Sequence, residues 1–135
     1  MDRDKEQKKA FLKYKDNNCV GSIIAGTGFG KTRVGAYAIV HGLMNSKQDA
    51  LVLVPFRHLK ENFKTEMIKT GYEEYIPRVQ FECYASVDKV FHNAKSYSVL
   101  VCDEIHLGLT DRCFDLYKTF KFERKMFLTA TLPEN

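Results

Sequence analysis

The chain has 135 residues, 44% hydrophobic and 28% charged, with a formal net charge of +4 at neutral pH. That length supports one real hydrophobic core and excludes two, and the composition is that of an ordinary soluble globular protein. No apolar run approaches the ~18–20 residues that cross a bilayer, and the mixed-charge N-terminus has no apolar stretch behind it, unlike a secretion signal.

These totals set the expected surroundings. The chain is expected in the cytoplasm or a viral or nuclear equivalent, neither secreted nor membrane-bound. The mild basic excess is compatible with a polyanionic partner, although many soluble proteins carry as much. Cys19, Cys83, Cys102 and Cys113 form no Cys-x-x-Cys pair and match no zinc spacing. They read as reduced structural residues, Cys83 and Cys102 being small hydrophobes inside apolar runs.

In chain order, residues 4–15 are charged, with Phe11, Leu12 and Tyr14 clustered late, and read as a surface helix. Residues 20–25 are a short apolar run entering a glycine-rich loop, as a buried strand would. Residues 31–44 place Val34, Ala38 and Leu43 at near-helical spacing. Residues 50–54 are apolar throughout and stopped by Pro55. Leu59, Phe63, Met67 and Ile68 trace a helical stripe ending at Thr70-Gly71. Val79, Phe81 and Cys83 alternate with Gln80 and Glu82, predicting a half-buried strand. A short helix is expected over 87–94, a continuous apolar strand over 98–102, a helix over 111–120 and a final strand over 125–129.

Apolar strands separated by helix-length segments call for an α/β fold, a mostly parallel sheet of about five strands covered on both faces. In such sheets ligands bind at the carboxyl ends of the strands. Three unusual stretches fall at such ends: 26–31, Asp103-Glu104 and 129–131.

The first stretch reads Ala25-Gly-Thr-Gly-Phe-Gly-Lys-Thr32, after a strand and opening a helix. In that context the glycines of a P-loop let several N–H groups turn inward around phosphate, and the helix N-terminus adds a favourable dipole. Gly26, Thr27, Gly28, Phe29 and Gly30 would form the ATP cradle. Lys31 would reach the β- and γ-phosphates, and the Thr32 hydroxyl would bind Mg²⁺. Ala25 stands where the general pattern has its first glycine. A glycine-rich turn without a ligand is the alternative.

The second stretch, Asp103-Glu104-Ile105-His106, follows four apolar residues. Asp103 would hold the magnesium, and Glu104 would orient and polarise an attacking water, a reaction in which positioning and charge stabilisation do most of the work. A lone Asp-Glu pair is otherwise common in solvated turns. A metal role for His106 with Cys102 fails for want of further ligands.

With GTGFGKT and DEIH in this order, the chain resembles the first RecA-like domain of superfamily-2 helicases and translocases, in their DEAH/DExH branch. The helicase version of the P-loop has alanine where Ala25 stands. The resemblance implies a RecA-like P-loop NTPase three-layer sandwich, with residues 1–135 forming a single helicase ATP-binding domain. Leu53-Val-Pro-Phe-Arg-His-Leu59 is similar to motif Ia, with Phe56 replacing threonine and Asn62 replacing glutamine. It implies Arg57 as a nucleic-acid phosphate contact, the alternative being a solvated surface arginine. Cys83-Tyr-Ala-Ser-Val87 resembles the T-Y-x-S-L stretch and implies Ser86 as a second contact, although a serine cap would look the same. Leu128-Thr-Ala-Thr131 resembles motif III, with Leu132 inserted before Pro133. The resemblance implies that Thr129, Thr131 and His106 couple the nucleotide site to nucleic acid; the threonines read otherwise as ordinary strand-end residues. Gln7 lies at about the distance before the P-loop of the glutamine that reads adenine in many relatives, in surroundings that match poorly.

Members of this family place ATP between two RecA-like domains, the second supplying an arginine finger worth ~10³–10⁵ in rate. The chain ends four residues after Thr131, so the second domain is expected elsewhere in a longer protein or on a partner chain. The isolated domain is expected to bind nucleotide modestly, hydrolyse it slowly and not unwind a duplex. DNA or RNA is the expected partner, DNA slightly favoured by the LTAT form. Two other classes compete. A nucleotide- or nucleic-acid-binding regulatory module acting through a partner protein would have no need of a water-activating glutamate. A small-molecule P-loop kinase would carry an arginine-bearing lid.

Overall fold

Residues 50–54 and 99–102 are buried at every position, which a strand can be only when both faces of its sheet are covered. The computed structural model describes residues 3–16, 20–24, 30–92 and 96–129. Helix α1 (Arg3–Asp16) leads to β1 (Val20–Ile24), α2 (Lys31–Met44), β2 (Ala50–Val54) and α3 (Arg57–Lys69). Then follow β3 (Val79–Cys83), the two-residue β4 (Ser96–Tyr97), β5 (Val99–Cys102), α4 (Asp111–Thr119), β6 (Lys121–Phe122) and β7 (Lys125–Thr129). Short 3₁₀ segments occupy Glu73–Arg78, Tyr84–His92 and Ile105–Gly108.

The main sheet has five strands in the order β1-β7-β5-β2-β3, and every neighbouring pair is parallel. Alternate residues of one strand therefore enter different layers. Val52 and Val54 join Val34, Ile39, Phe63 and Met67 under α2 and α3. Leu51 and Leu53 join Val87, Val90, Cys113 and Leu116 on the opposite face. This is the expected α/β three-layer sandwich. Removing the Phe63 ring from its fully buried place would cost about 3–5 kcal/mol.

The register decides where the site lies. Ile24 pairs with Thr129, and Cys102 with Phe127 and Leu53. The carboxyl ends of β1, β7 and β5 thus stand side by side, and of the three stretches singled out in the sequence the described residues Asp103, Glu104 and Thr129 lie at that edge.

The structure departs from the sequence reading in local form. The helix expected over 87–94 is instead a 3₁₀ segment, Tyr84–His92, broken at Ser86 (φ −107°, ψ 19°). Its buried residues, Tyr84, Val87 and Val90, recur every third position, which suits three residues per turn rather than 3.6. Helix α1 is not only a surface element: Gln7 and Tyr14 are both buried, and at i, i+7 they share one face. The β4–β6 pair and the 3₁₀ segment Glu73–Arg78 have no counterpart in the sequence reading. Cys83, Cys102 and Cys113 are buried free thiols, and burial pushes Cys102 up to about 12. Cys19 lies outside the described residues.

Candidate functional site

Helix α2 starts on Gly30, whose left-handed backbone (φ 76°, ψ 45°) turns the chain into the helix, a conformation open to glycine without strain. No acidic side chain occupies the first turn of α2, so its N-terminal dipole is not neutralised from within the helix. Gly26, Thr27, Gly28 and Phe29, the rest of the expected cradle, lie outside the described residues, as does Thr131.

Lys31, the first residue of α2, reaches across to the end of β5. Its Nζ donates to Asp103 Oδ1 at 2.7 Å and to Glu104 Oε1 at 2.5 Å. The backbone N–H of Asp103 donates to Leu53 O at 2.9 Å, continuing the sheet pairing by one residue and fixing the carboxylate at the strand's mouth. Asp103 is 1% exposed. Burial holds its carboxyl above the usual value, with the hydrogen bond from Lys31 opposing that rise. The ammonium is thus the partner that makes a buried carboxylate tolerable.

Glu104 adopts a left-handed backbone (φ 48°, ψ 58°), alone among the described non-glycine residues in having positive φ. For a residue with a side chain this costs roughly 1–2 kcal/mol, and it persists only where the surroundings impose it. Two tyrosines surround this turn. The Tyr84 hydroxyl donates to Asp103 O at 2.7 Å, and the Tyr117 hydroxyl donates to Gly108 O at 3.0 Å. Between them runs the segment that carries His106, whose Nδ1 lies 3.2 Å from Thr129 Oγ1 at the end of β7. The two residues expected to act together are in hydrogen-bond contact.

Gln7 reaches the same corner from α1: its Nε2 donates to Gly30 O at 3.4 Å. A cleft of about 500 Å³ opens beside it, bordered by Gln7, Gly30, Thr32, Arg33, Asn62 and Glu66. Arg33 Nε pairs with Glu66 Oε2 at 2.9 Å along its wall. Thr32 therefore sits where the cleft meets the Lys31 cluster, while Asp103 and Glu104 stand beyond the cleft.

Arg57 and Ser86 lie elsewhere on this edge. Arg57 is exposed at the first turn of α3, beyond the end of β2. Beside it Phe56 is 56% exposed and stacked on His58. Ser86 is half-buried at the break beyond β3. With the order β1-β7-β5-β2-β3, Lys31 and the acidic residues occupy one half of the edge, and Arg57 and Ser86, the two expected strand contacts, the other. Sequence reasoning missed Tyr84 and Tyr117 as supports of the acidic turn. The only signal for Tyr84 was its place in the Tyr-Ala-Ser stretch.

The family model for DEAD/DEAH box helicases matches residues 4–90, more than half of the chain. No curated protein matches the chain in sequence. The fold is similar to that of the UvsW helicase from bacteriophage T4, with a TM-score of 0.73 and 17% identity over 94% of this chain and 52% of that one. It is similar also to the Sulfolobus solfataricus SWI2/SNF2 ATPase core solved in complex with dsDNA, with a TM-score of 0.70 and 21% identity over 93% of this chain and 31% of that one. A third similar structure is a nuclease-deletion mutant of the Type ISP restriction-modification enzyme LlaGI with a DNA substrate mimic. There the TM-score is 0.65 and identity 14%, over 98% of this chain and 17% of that one. The chain spans about half the length of the first of these and less of the other two.

Proposed function

The chain belongs to the DEAD/DEAH box helicase family, and on that premise we propose that it binds Mg·ATP and hydrolyses it as the first RecA-like motor domain of a nucleic-acid helicase or translocase. The observation that carries this reading is the Lys31 ammonium held between Asp103 and Glu104, which joins the start of α2 to the acidic turn although β7 separates β1 from β5 in the sheet.

The donor set suits the ligand. Asp103 and Thr32 offer hard oxygen donors of the kind magnesium takes alongside substrate phosphates, and Lys31 supplies the compact positive charge that triphosphate recognition uses. Bound there, magnesium would neutralise charge developing on the phosphate oxygens. Lys31 would exchange its carboxylate partners for β- and γ-phosphate oxygens. Glu104 would orient and polarise the water that attacks the γ-phosphorus. The bond from that phosphorus to the β,γ-bridging oxygen breaks, leaving ADP and inorganic phosphate. Gln7, held at Gly30, stands within reach of the cleft in which a purine could lie. His106 and Thr129, joined at 3.2 Å, would pass the state of this site to the strand-binding half, with Arg57 and Ser86 as phosphate contacts and Thr131 continuing the relay.

Efficient turnover and unwinding would need a second RecA-like domain, on the same protein or a partner chain. DNA is favoured over RNA as the partner, supported by fold neighbours solved with dsDNA or a DNA substrate mimic. The experiment is steady-state ATPase with and without single-stranded DNA or RNA, on the protein complemented by that second domain. Stimulated hydrolysis that Glu104→Gln loses while still binding ATP is the expected result; normal hydrolysis by that variant would overturn the assigned chemistry.

A further inference from the structure

We infer that Tyr84 is a positioning residue for Glu104, tying the acidic turn to the strand-contact segment; this rests on the hydrolytic reading of Glu104 given above. The Asp103 carbonyl belongs to the peptide plane that joins Asp103 to Glu104. The φ angle of Glu104 is measured against that plane, so a group that fixes the carbonyl holds one side of the torsion that sets the left-handed backbone of Glu104 (φ 48°). The Tyr84 hydroxyl does this from inside the core, donating to Asp103 O at 2.7 Å from a residue only 7% exposed.

The ring has little freedom to turn away. It packs so closely on the next segment that a Cβ at Gly108 would lie 2.2 Å from Tyr84 Cε1. Gly108 O is in turn held by the Tyr117 hydroxyl at 3.0 Å. One end of the turn is therefore fixed by a residue of the 3₁₀ segment Tyr84–His92, and the other by α4.

Tyr84 also has a second neighbour of consequence. Ser86 breaks the 3₁₀ segment with a non-helical backbone (φ −107°, ψ 19°), and it is the expected strand contact. A nucleic-acid phosphate that shifts Ser86 shifts the backbone carrying Tyr84, and with it the peptide plane that aims Glu104. The route is short and runs through one hydroxyl. It is separate from the His106–Thr129 contact, which leaves the turn on the side of β7.

The test is single-turnover hydrolysis by the protein complemented by the second RecA-like domain, in excess over labelled Mg·ATP, with and without a single-stranded DNA oligonucleotide, so that slow reactions remain readable. Tyr84→Phe deletes only the hydroxyl. It is expected to lower the hydrolysis rate roughly tenfold or more, to reduce strand stimulation towards unity, and to leave ATP affinity within about twofold. Tyr117→Phe removes a half-buried hydroxyl from the other end of the turn and is expected to lower the melting temperature while keeping strand stimulation. Tyr84→Phe with wild-type rate and stimulation overturns the inference. So does equal loss of stimulation in Tyr117→Phe, or a wild-type rate indifferent to the strand. Failure of the underlying reading looks different: wild type and Glu104→Gln would then hydrolyse ATP alike.

Discussion

Lys31 and Asp103 are 72 positions apart in the chain, yet the lysine Nζ and the aspartate Oδ1 lie 2.7 Å apart, with the carboxylate almost wholly buried. The pair forms because α2 packs against β5 and β7, and Asp103 directly follows β5. An ion pair so placed is weak evidence for stability, since desolvation of the charges offsets their attraction. Under the proposed function it is an arrangement kept for nucleotide binding that the rest of the core supports.

Asp103→Asn is accordingly expected to stabilise the protein. Burial raises the carboxyl's folded pKa, so the folded state holds the proton more tightly than the unfolded state does. The wild-type group contributes most at low pH, and that contribution is lost as pH rises through the raised value. The asparagine variant should match wild type in acid and exceed it increasingly as pH passes from the ordinary carboxylate range towards neutrality. Thermal melts across that range check this, about 1 kcal/mol corresponding to roughly 2–8 °C. A gap that shrinks with rising pH would reverse the assigned sign.

The His106–Thr129 contact at 3.2 Å predicts an energetic coupling between the two side chains. Urea unfolding of His106→Ala, Thr129→Val and the double variant should return an interaction term of about 0.5–1.5 kcal/mol. Strictly additive effects would mean that the contact carries no free energy.

Arg57→Ala should leave ATP affinity unchanged and weaken nucleic-acid binding, lowering the slope of log affinity against log salt by ~1. Salt titrations of oligonucleotide binding read this directly, and an unchanged slope would remove Arg57 from the interface. Arg57 is exposed at the start of α3, so its truncation leaves the core intact, and an unchanged melting curve separates lost binding from lost folding.

Gly108→Ala should destabilise by roughly 1–3 kcal/mol through overpacking, because the new methyl would meet the Tyr84 ring at 2.2 Å. Adding Tyr84→Leu should relieve part of that loss. Denaturant unfolding of the single and double variants measures both, and a neutral Gly108→Ala would show that the ring can retreat.

The parts of this molecule legible in its sequence are those written in local pattern. Runs such as Ala50–Val54, apolar at every position, announce buried parallel strands. Lys31 and Asp103-Glu104 announce themselves because each directly follows a strand or its loop. The strand order is not local, since it depends on which crossovers pack, and the two-residue pairing of β4 with β6 exists only because tertiary packing brings Ser96 beside Lys121. Residues 84–92 carry a three-residue spacing of buried positions that distinguishes 3₁₀ from α only once burial is known. Tyr84 gave least warning: an aromatic residue after a strand reads as ordinary core, and its hydroxyl matters only because the chain returns to place the Asp103 carbonyl 2.7 Å away.

Calorimetric titration of Mg·ATP into wild type and Lys31→Ala tests the central claim most directly, with circular dichroism confirming that both are folded. Loss of the charged hydrogen bonds from Lys31 predicts wild-type binding and a variant weakened by roughly 100-fold or more. Equal affinity in the two proteins would mean that the triphosphate does not lie between the helix that Lys31 opens and the acidic turn at Asp103, and the account would fail.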